Sequence, residues 1–505
     1  MQKIINNIKN KKLLKNIIIK NTLILILSSI IIKILSLLNR VLLTRLLGHE
    51  GISLYVLLLP TIMLLLSLGG FSLNVSINKI VSENEISKKY TRKRIIKQAT
   101  VIGLLFSSLM IIIFISLSKY IAINLLKQEN AYFPILSSIL IVPFVALNNI
   151  YRGFYNGLNK VNITANSNII EQISRLLLST TLLFIFKNQK VTFTVTITVI
   201  AMAIGEFIQA LYNISKLNKY LNNNDNNIEP LKNKNLNKEI INISLSQTFS
   251  HLIANIAFFL EPIIFTYALS KISIENNQIL YQYSEITAYA LPLLTMFFFI
   301  ANNLATVLIP TIIKNKNNKE YNDKIITKAL IASLLPGILF AVLFTFYSKD
   351  YLIFLYDTTI GSNIVKKYAF FFALFYMQPI LISILNCYNK QKQLMIISII
   401  DSIIKLTLLY FLTFIKTISY NSLIYSYIIT NTFATLLLFI YVKKLLKLKI
   451  SKTNIFKIIY LIFITFLSSY LLYIFKINYI ISSLIITFLY IIYVLLLKLH
   501  RINNK

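Results

Sequence analysis

Runs of about twenty or more apolar residues recur roughly fourteen times along this chain, more than a soluble core can absorb. A helix needs about 20 residues to cross ~30 Å of hydrocarbon. Lipid offers the backbone no hydrogen-bond partner, so each run is read as a membrane-spanning helix. The runs lie near 17–47, 52–80, 95–118, 132–156, 162–186, 191–214, 239–268, 280–312, 324–347, 364–388, 393–415, 419–442, 454–475 and 478–498. The expected fold is therefore all-α and polytopic. Composition agrees, with 56% hydrophobic and 13% charged residues and a mean hydropathy of +0.71. The first run follows basic residues, as in a secretion signal, but stays apolar to Leu47 with no small-residue cleavage site, so it is read as the first span.

The net charge of +34 would suggest nucleic acid in a soluble chain. Here the lysines and arginines crowd into short loops on alternate connections, including Lys88-Lys89, Arg92-Lys93-Arg94 and Lys443-Lys444. That pattern argues for loops held at an anionic cytoplasmic leaflet and against a nucleic-acid partner. It places the N-terminus, the 215–238 segment and the C-terminus in the cytoplasm of a multi-pass protein of the bacterial cell membrane, with membrane lipids as partners. Cys387 is the lone cysteine, the three histidines are scattered, and neither H-E-x-x-H nor a phosphate loop occurs. No cofactor, metal or enzyme activity is expected. The external connections are short, which argues against a glycan polymerase or ligase.

The Asn-rich segment 215–238 is the long polar interruption, and it divides the chain into 1–214, with six spans, 239–442, with six more, and 443–505, with a final helix pair and a basic tail. An internal echo supports that division. Asn159-Lys160 and Glu171-x-x-x-Arg175 return as Asn389-Lys390 and Asp401-x-x-x-Lys405, both displaced by 230 positions. Because six is even, the two groups face the same way, which makes a parallel repeat of two six-helix lobes.

Ionisable side chains inside spans are costly unless paired or wetted, so each is a candidate functional residue. In the first span these are Lys33, Arg40 and Arg45. Arg40 and Arg45 are about 140° apart around a helix, so they do not share a narrow face. Arg45 can snorkel to the outer headgroups, which explains deeper Arg40 less well. Glu171 with Arg175, and Asp401 with Lys405, stand one turn apart and read either as self-neutralised pairs or as groups that line a cavity. Glu206 and Glu261 have no basic residue one turn away, which marks them for H+ or Na+ coupling or for a structural hydrogen bond. Glu261 also precedes Pro262, where a helix break would free carbonyls for a cation.

Several of these residues sit in segments that look familiar. Asn39-Arg40, Arg45-Leu46-Leu47-Gly48, Glu50-Gly51 and Leu54-Tyr55, then Tyr151-Arg152-Gly153, Gly157, Thr164 and Ile170-Glu171-Gln172 with Arg175, then Ala290-Leu291-Pro292-Leu293 through Leu308-Ile309-Pro310, carry the resemblance. The chain resembles the stage V sporulation protein B branch of the polysaccharide transporters. That branch lies in the multidrug/oligosaccharidyl-lipid/polysaccharide exporter superfamily, which also holds the lipid II flippases. The resemblance implies two lobes around a cavity that opens alternately to each leaflet. It implies a lipid-linked glycan as substrate, with pyrophosphate to be met by Arg40 and Arg45. One departure is Asn386-Cys387-Tyr388-Asn389, where a glycine-containing turn like that at Gly157 is expected. Two rival readings stand beside the flippase: a cation-coupled multidrug exporter, which would favour acidic cavities, and a non-transporting scaffold for envelope or spore assembly.

Overall fold

The computed structural model describes residues 2–87, 89–221, 235–314, 319–446 and 452–497. The middle of the 215–238 segment and the tail beyond residue 497, both expected in the cytoplasm, lie outside the described residues. Twelve helices are long and apolar enough to cross a bilayer, thirteen with one pair bent by 52°. One of the twelve, Ile26–Glu85, has 60 residues, or about 90 Å of helix, three times the hydrocarbon thickness. It turns at Gly48, whose φ of 66° and ψ of −174° are not helical. Taken as two passes, it supplies the first two predicted spans and restores the expected total.

The first compact unit is Met1–Tyr267. Within it lie α1 (Gln2–Gly69), α2 (Leu73–Ser87), α3 (Arg92–Tyr120), α4 (Tyr132–Ser138), α5 (Val142–Gly157), α6 (Val161–Ile185), α7 (Val191–Leu221) and most of α8 (Asn235–Lys271). The second predicted span is not one helix. It breaks after Gly69, and Phe71 and Ser72 take left-handed φ of 45° and 43°. The start of α5 fills the break: a Cβ on Gly69 would lie 2.4 Å from Val142 Cγ1, and one on Gly70 2.4 Å from Asn149 Nδ2. Further along, Gly153 and Gly157 present a bare backbone to α2, since Cβ atoms there would meet the carbonyl oxygens of Asn74 and Asn78 at 2.7 and 2.9 Å. Small residues four apart let helices approach closely in lipid, where burial of apolar surface drives little association.

α8, which the repeat would assign to the second group of helices, packs its N-terminal part on the first unit. Ser244 Oγ donates to Ser76 Oγ at 2.8 Å, Thr248 Oγ1 to Ser72 Oγ at 3.2 Å and Asn255 Nδ2 to Ser67 Oγ at 2.7 Å. The expected break at Glu261-Pro262 is absent, because α8 runs through Pro262 without interruption. The Thr266 hydroxyl donates to the Pro262 carbonyl one turn on.

The second unit, Ala268–Lys505, contains α9 (Asn276–Ser284), α10 (Leu291–Leu294), α11 (Phe298–Lys314), α12 (Lys319–Tyr356), α13 (Ser362–Phe375), α14 (Gln378–Cys387), α15 (Gln391–Thr413), α16 (Ser422–Leu446), α17 (Lys452–Ile474) and α18 (Tyr479–Leu496). The eighth predicted span is the bent pair. A π-turn over Glu285–Ala290 and Pro292 in the first turn of α10 interrupt it before α11 resumes. The final pair α17 and α18 packs on α12, where the Tyr490 hydroxyl donates to the Leu335 carbonyl at 2.7 Å.

The 230-residue echo has a structural counterpart. Asn159 and Asn389 end α5 and α14 with φ of 57° and 56°. The following lysine amides reach back to the carbonyls of Tyr155 and Leu385 at 2.8 and 2.9 Å. This is the six-to-one cap that a left-handed residue allows, and asparagine tolerates that conformation better than most side chains. The turn at Asn386–Asn389 therefore closes without the glycine that the resemblance led us to expect.

Candidate functional site

Four ionisable residues of the first unit, Arg152, Glu171, Arg175 and Glu206, gather where α5, α6 and α7 meet. Each helix contributes a face of period 3.6: Asn148, Arg152 and Tyr155 from α5, Ser167, Glu171 and Arg175 from α6, and Glu206, Gln209 and Asn213 from α7. Glu171 is 4% exposed and Glu206 8%. Arg175 Nη2 pairs with Glu171 Oε1 on its own helix. The same nitrogen stands 4.0 Å from Glu206 Oε1 on the next. One guanidinium thus serves two buried carboxylates. The partner of Glu206 that is missing within α7 is supplied across the helix interface.

Neutral side chains extend the network. Asn148 Nδ2 donates to Glu206 Oε2 at 2.8 Å and to its backbone carbonyl at 2.9 Å. Asn213 Nδ2 donates to Asn148 Oδ1 at 3.1 Å. Gln172 Nε2 donates to Glu171 Oε2 at 2.8 Å. Arg152 Nη2 donates to Gln209 Oε1 at 2.9 Å, and Gln209 Nε2 in turn to Asn168 Oδ1 at 2.9 Å. In a medium without water every such group left single would cost several kcal/mol, which accounts for the density of the network.

α1 joins this site through Asn39, whose Oδ1 accepts from Ser179 Oγ at 2.9 Å. Lys33 and Arg45 are exposed on α1, whereas Arg40 is half-buried and follows Asn39, the residue of α1 that bonds α6. Glu261 is 1% exposed on α8, and no contact ties it to Glu171 or Glu206.

The second unit does not repeat the arrangement. Lys405 turns its Nζ to the ring of Tyr427, 3.9 Å from the centroid. Asp401 lines a cavity of about 160 Å³ with Gln378 and Asn431, and its Oδ1 is buried with no hydrogen-bond partner. Equal spacing in the sequence thus supports a tight ion pair in α6 and a cation–π contact in α15, because the neighbouring helices offer different groups. Among the described residues, no cluster of three His, Cys, Asp or Glu side chains could hold a metal ion.

Arg152, Asn148, Gln209 and Asn213 were not singled out from the sequence as site residues. Their signal was present, since polar side chains at spacings of three, four and seven within apolar spans mark one inward face.

Comparison with known proteins agrees with this architecture. Stage V sporulation protein B of Bacillus subtilis (strain 168) is 27% identical over 405 residues, covering 79% of this chain and 78% of that protein. Sporulation protein YkvU of the same organism is 23% identical over 301 residues, covering 59% of this chain and 65% of that protein. Among solved structures, the lipid II flippase MurJ in an inward closed conformation superposes with a TM-score of 0.67 at 16% identity, covering 92% of this chain and 97% of that one. An inward-facing multidrug resistance MATE family transporter of the MOP superfamily superposes with a TM-score of 0.64 at 13% identity, covering 82% and 94%. The chain thus shares the polytopic helical fold of these two solved structures. The family described as polysaccharide biosynthesis protein matches residues 18–316, more than half of the chain, and the chain belongs to that family.

Proposed function

We propose that this protein is a flippase that carries an undecaprenyl-linked oligosaccharide or peptidoglycan precursor across the cytoplasmic membrane by alternating access, without enzymatic chemistry. The observation that carries the reading is the buried network in which Arg175 is shared by Glu171 and Glu206, with Arg152 bonded to Gln209 beside it and Arg40 next to Asn39, which bonds α6. Cations exceed acids in that set, which suits a pyrophosphate that must shed water and replace it with forked guanidinium hydrogen bonds. A drug exporter that takes cations would need the opposite balance. Membership of a polysaccharide biosynthesis family supports the glycan as cargo.

In this reading the two groups of six helices, 1–214 and 239–442, form the lobes. Arg40 is the first phosphate ligand, and Lys33 and Arg45 draw the headgroup toward it. Glu171 with Arg175 and Asp401 with Lys405 line the path. Glu206 and Glu261 carry any proton or sodium coupling, and both termini are cytoplasmic.

The test is the appearance of labelled lipid-linked precursor at the outer leaflet of vesicles that contain the purified protein. Flipping by wild type, lost in Arg40→Ala at normal abundance, supports the reading. Wild-type vesicles that flip no more than protein-free ones overturn it, and an unchanged Arg40→Ala removes the phosphate role.

A further inference from the structure

In the second unit, α11 and α14 pack side by side and leave a groove of about 350 Å³ between them. That volume lies within the range of small-molecule sites. Phe298, Asn302 and Thr306 line one wall at four-residue intervals, and Gln378, Ser383 and Asn386 line the other. Both walls belong to membrane-spanning segments. None of the lining residues is ionisable, so the groove is built neither for phosphate nor for a metal ion.

Its polar groups are disposed toward an outside partner. Asn302 and Asn386 are exposed, and their side-chain amides form no hydrogen bond with the described residues. Gln378 spends its amide protons on Thr435 Oγ1 at 2.8 Å and the Asn431 carbonyl at 3.2 Å, which leaves its oxygen as an acceptor. The hydroxyl of exposed Thr306 donates back to the carbonyl of Asn302 at 2.9 Å, so it too presents lone pairs outward, while Ser383 is buried in the groove wall with its hydroxyl on the Ile380 carbonyl at 2.8 Å. Exposed amides turned to hydrocarbon would each cost several kcal/mol. The lipid-facing helices avoid that cost: the exposed side chains of α18 include Ile480, Ile481, Leu484, Phe488 and Ile491. The face of α11 and α14 is therefore turned to water or ligand. Phe298, held edge-on by Tyr376 at 4.4 Å between centroids, adds an apolar surface among these groups.

Neutral amides and an acceptor hydroxyl beside a phenyl ring match one ligand chemistry. A pyranose has hydroxyls that both donate and accept, and one apolar C–H face. We propose that the α11–α14 groove binds an uncharged sugar ring of the translocated headgroup. This inference rests on the flippase reading above and adds to it a second subsite, distinct from the guanidinium network of the first unit. The sugar then contributes to recognition independently of the pyrophosphate.

The experiment compares two probes by native mass spectrometry of the purified full chain: a short-chain polyprenyl pyrophosphate, and the same lipid carrying one hexopyranose. Wild type is expected to bind the glycosylated lipid about tenfold more tightly, the gain of a few hydrogen bonds. Asn302→Ala with Asn386→Ala should erase that preference while binding the bare lipid as wild type does, which also reports that the variant is folded. Equal affinity of wild type for the two lipids overturns the groove assignment without recourse to a variant, and so does a double variant that keeps the preference. If wild type binds neither lipid, the flippase reading fails and the groove assignment with it.

Discussion

The shared guanidinium of Arg175 makes the effects of removing its two carboxylates unequal. Glu171→Gln removes the ion pair but leaves Arg175 4.0 Å from Glu206. Loss of one member of a buried pair costs about 3–5 kcal/mol. Opposite charges at 4.0 Å still attract, by about 1 kcal/mol where water reaches and screens them. That residual attraction, with the 22% exposure of the Arg175 side chain, trims the net loss to about 2 kcal/mol. Glu206→Gln is milder, about 1 kcal/mol, because the new amide oxygen still accepts from Asn148 and the Glu171–Arg175 pair is intact. The double change Glu171→Gln with Glu206→Gln removes both counter-charges and should cost more than the sum. Adding Arg175→Gln to Glu171→Gln should recover part of the loss. The assay is the midpoint of thermal aggregation in detergent, followed by size-exclusion chromatography. At about 2–4 °C per kcal/mol for a unit of this size, Glu171→Gln should fall about 4–8 °C, twice the fall of Glu206→Gln. Equal falls for the two single variants, or a double variant equal to their sum, would refute the shared-guanidinium account.

Further outcomes are expected elsewhere in the chain. Arg40→Lys should flip labelled precursor almost as poorly as Arg40→Ala if the planar fork is what grips pyrophosphate, whereas near-normal flipping by Lys would reduce the role to point charge. Gly153→Ala should lower the same thermal midpoint by an amount that corresponds to about 1–3 kcal/mol of overpacking, since its Cβ would meet a backbone oxygen of α2 at 2.7 Å; an unchanged midpoint would mean that the helices separate freely there. With Cys387→Ser as background, cysteines at Asn223 and Asn503, both outside the described residues, should resist an impermeant external thiol reagent while one at Ser362 reacts. Labelling at Asn223 from outside would overturn the orientation. Glu206→Gln and Glu261→Gln should each abolish any dependence of flipping on a proton or sodium gradient, and a dependence retained in both excludes these two acids as coupling groups.

Hydropathy alone was enough to mark the spans, because lipid leaves a backbone no alternative to internal hydrogen bonds and ~30 Å of hydrocarbon sets their length. The pairing of Glu171 with Arg175 was legible for a similar reason, since four residues of helix bring two side chains together whatever surrounds them. The caps at Asn159 and Asn389 were visible as an echo for the same local reason. Contacts between helices were not legible. Nothing in the order of residues says that α7 turns Glu206 toward Arg175, that Arg152 meets Gln209, or that Lys405 leans on Tyr427, because these depend on which helices pack and at what rotation. The break after Gly69 follows from where α5 approaches, and only the structure shows that α8 runs unbroken through Pro262. Periodicity along one helix is a property of the chain, whereas the partner of an inward face is a property of the packed bundle.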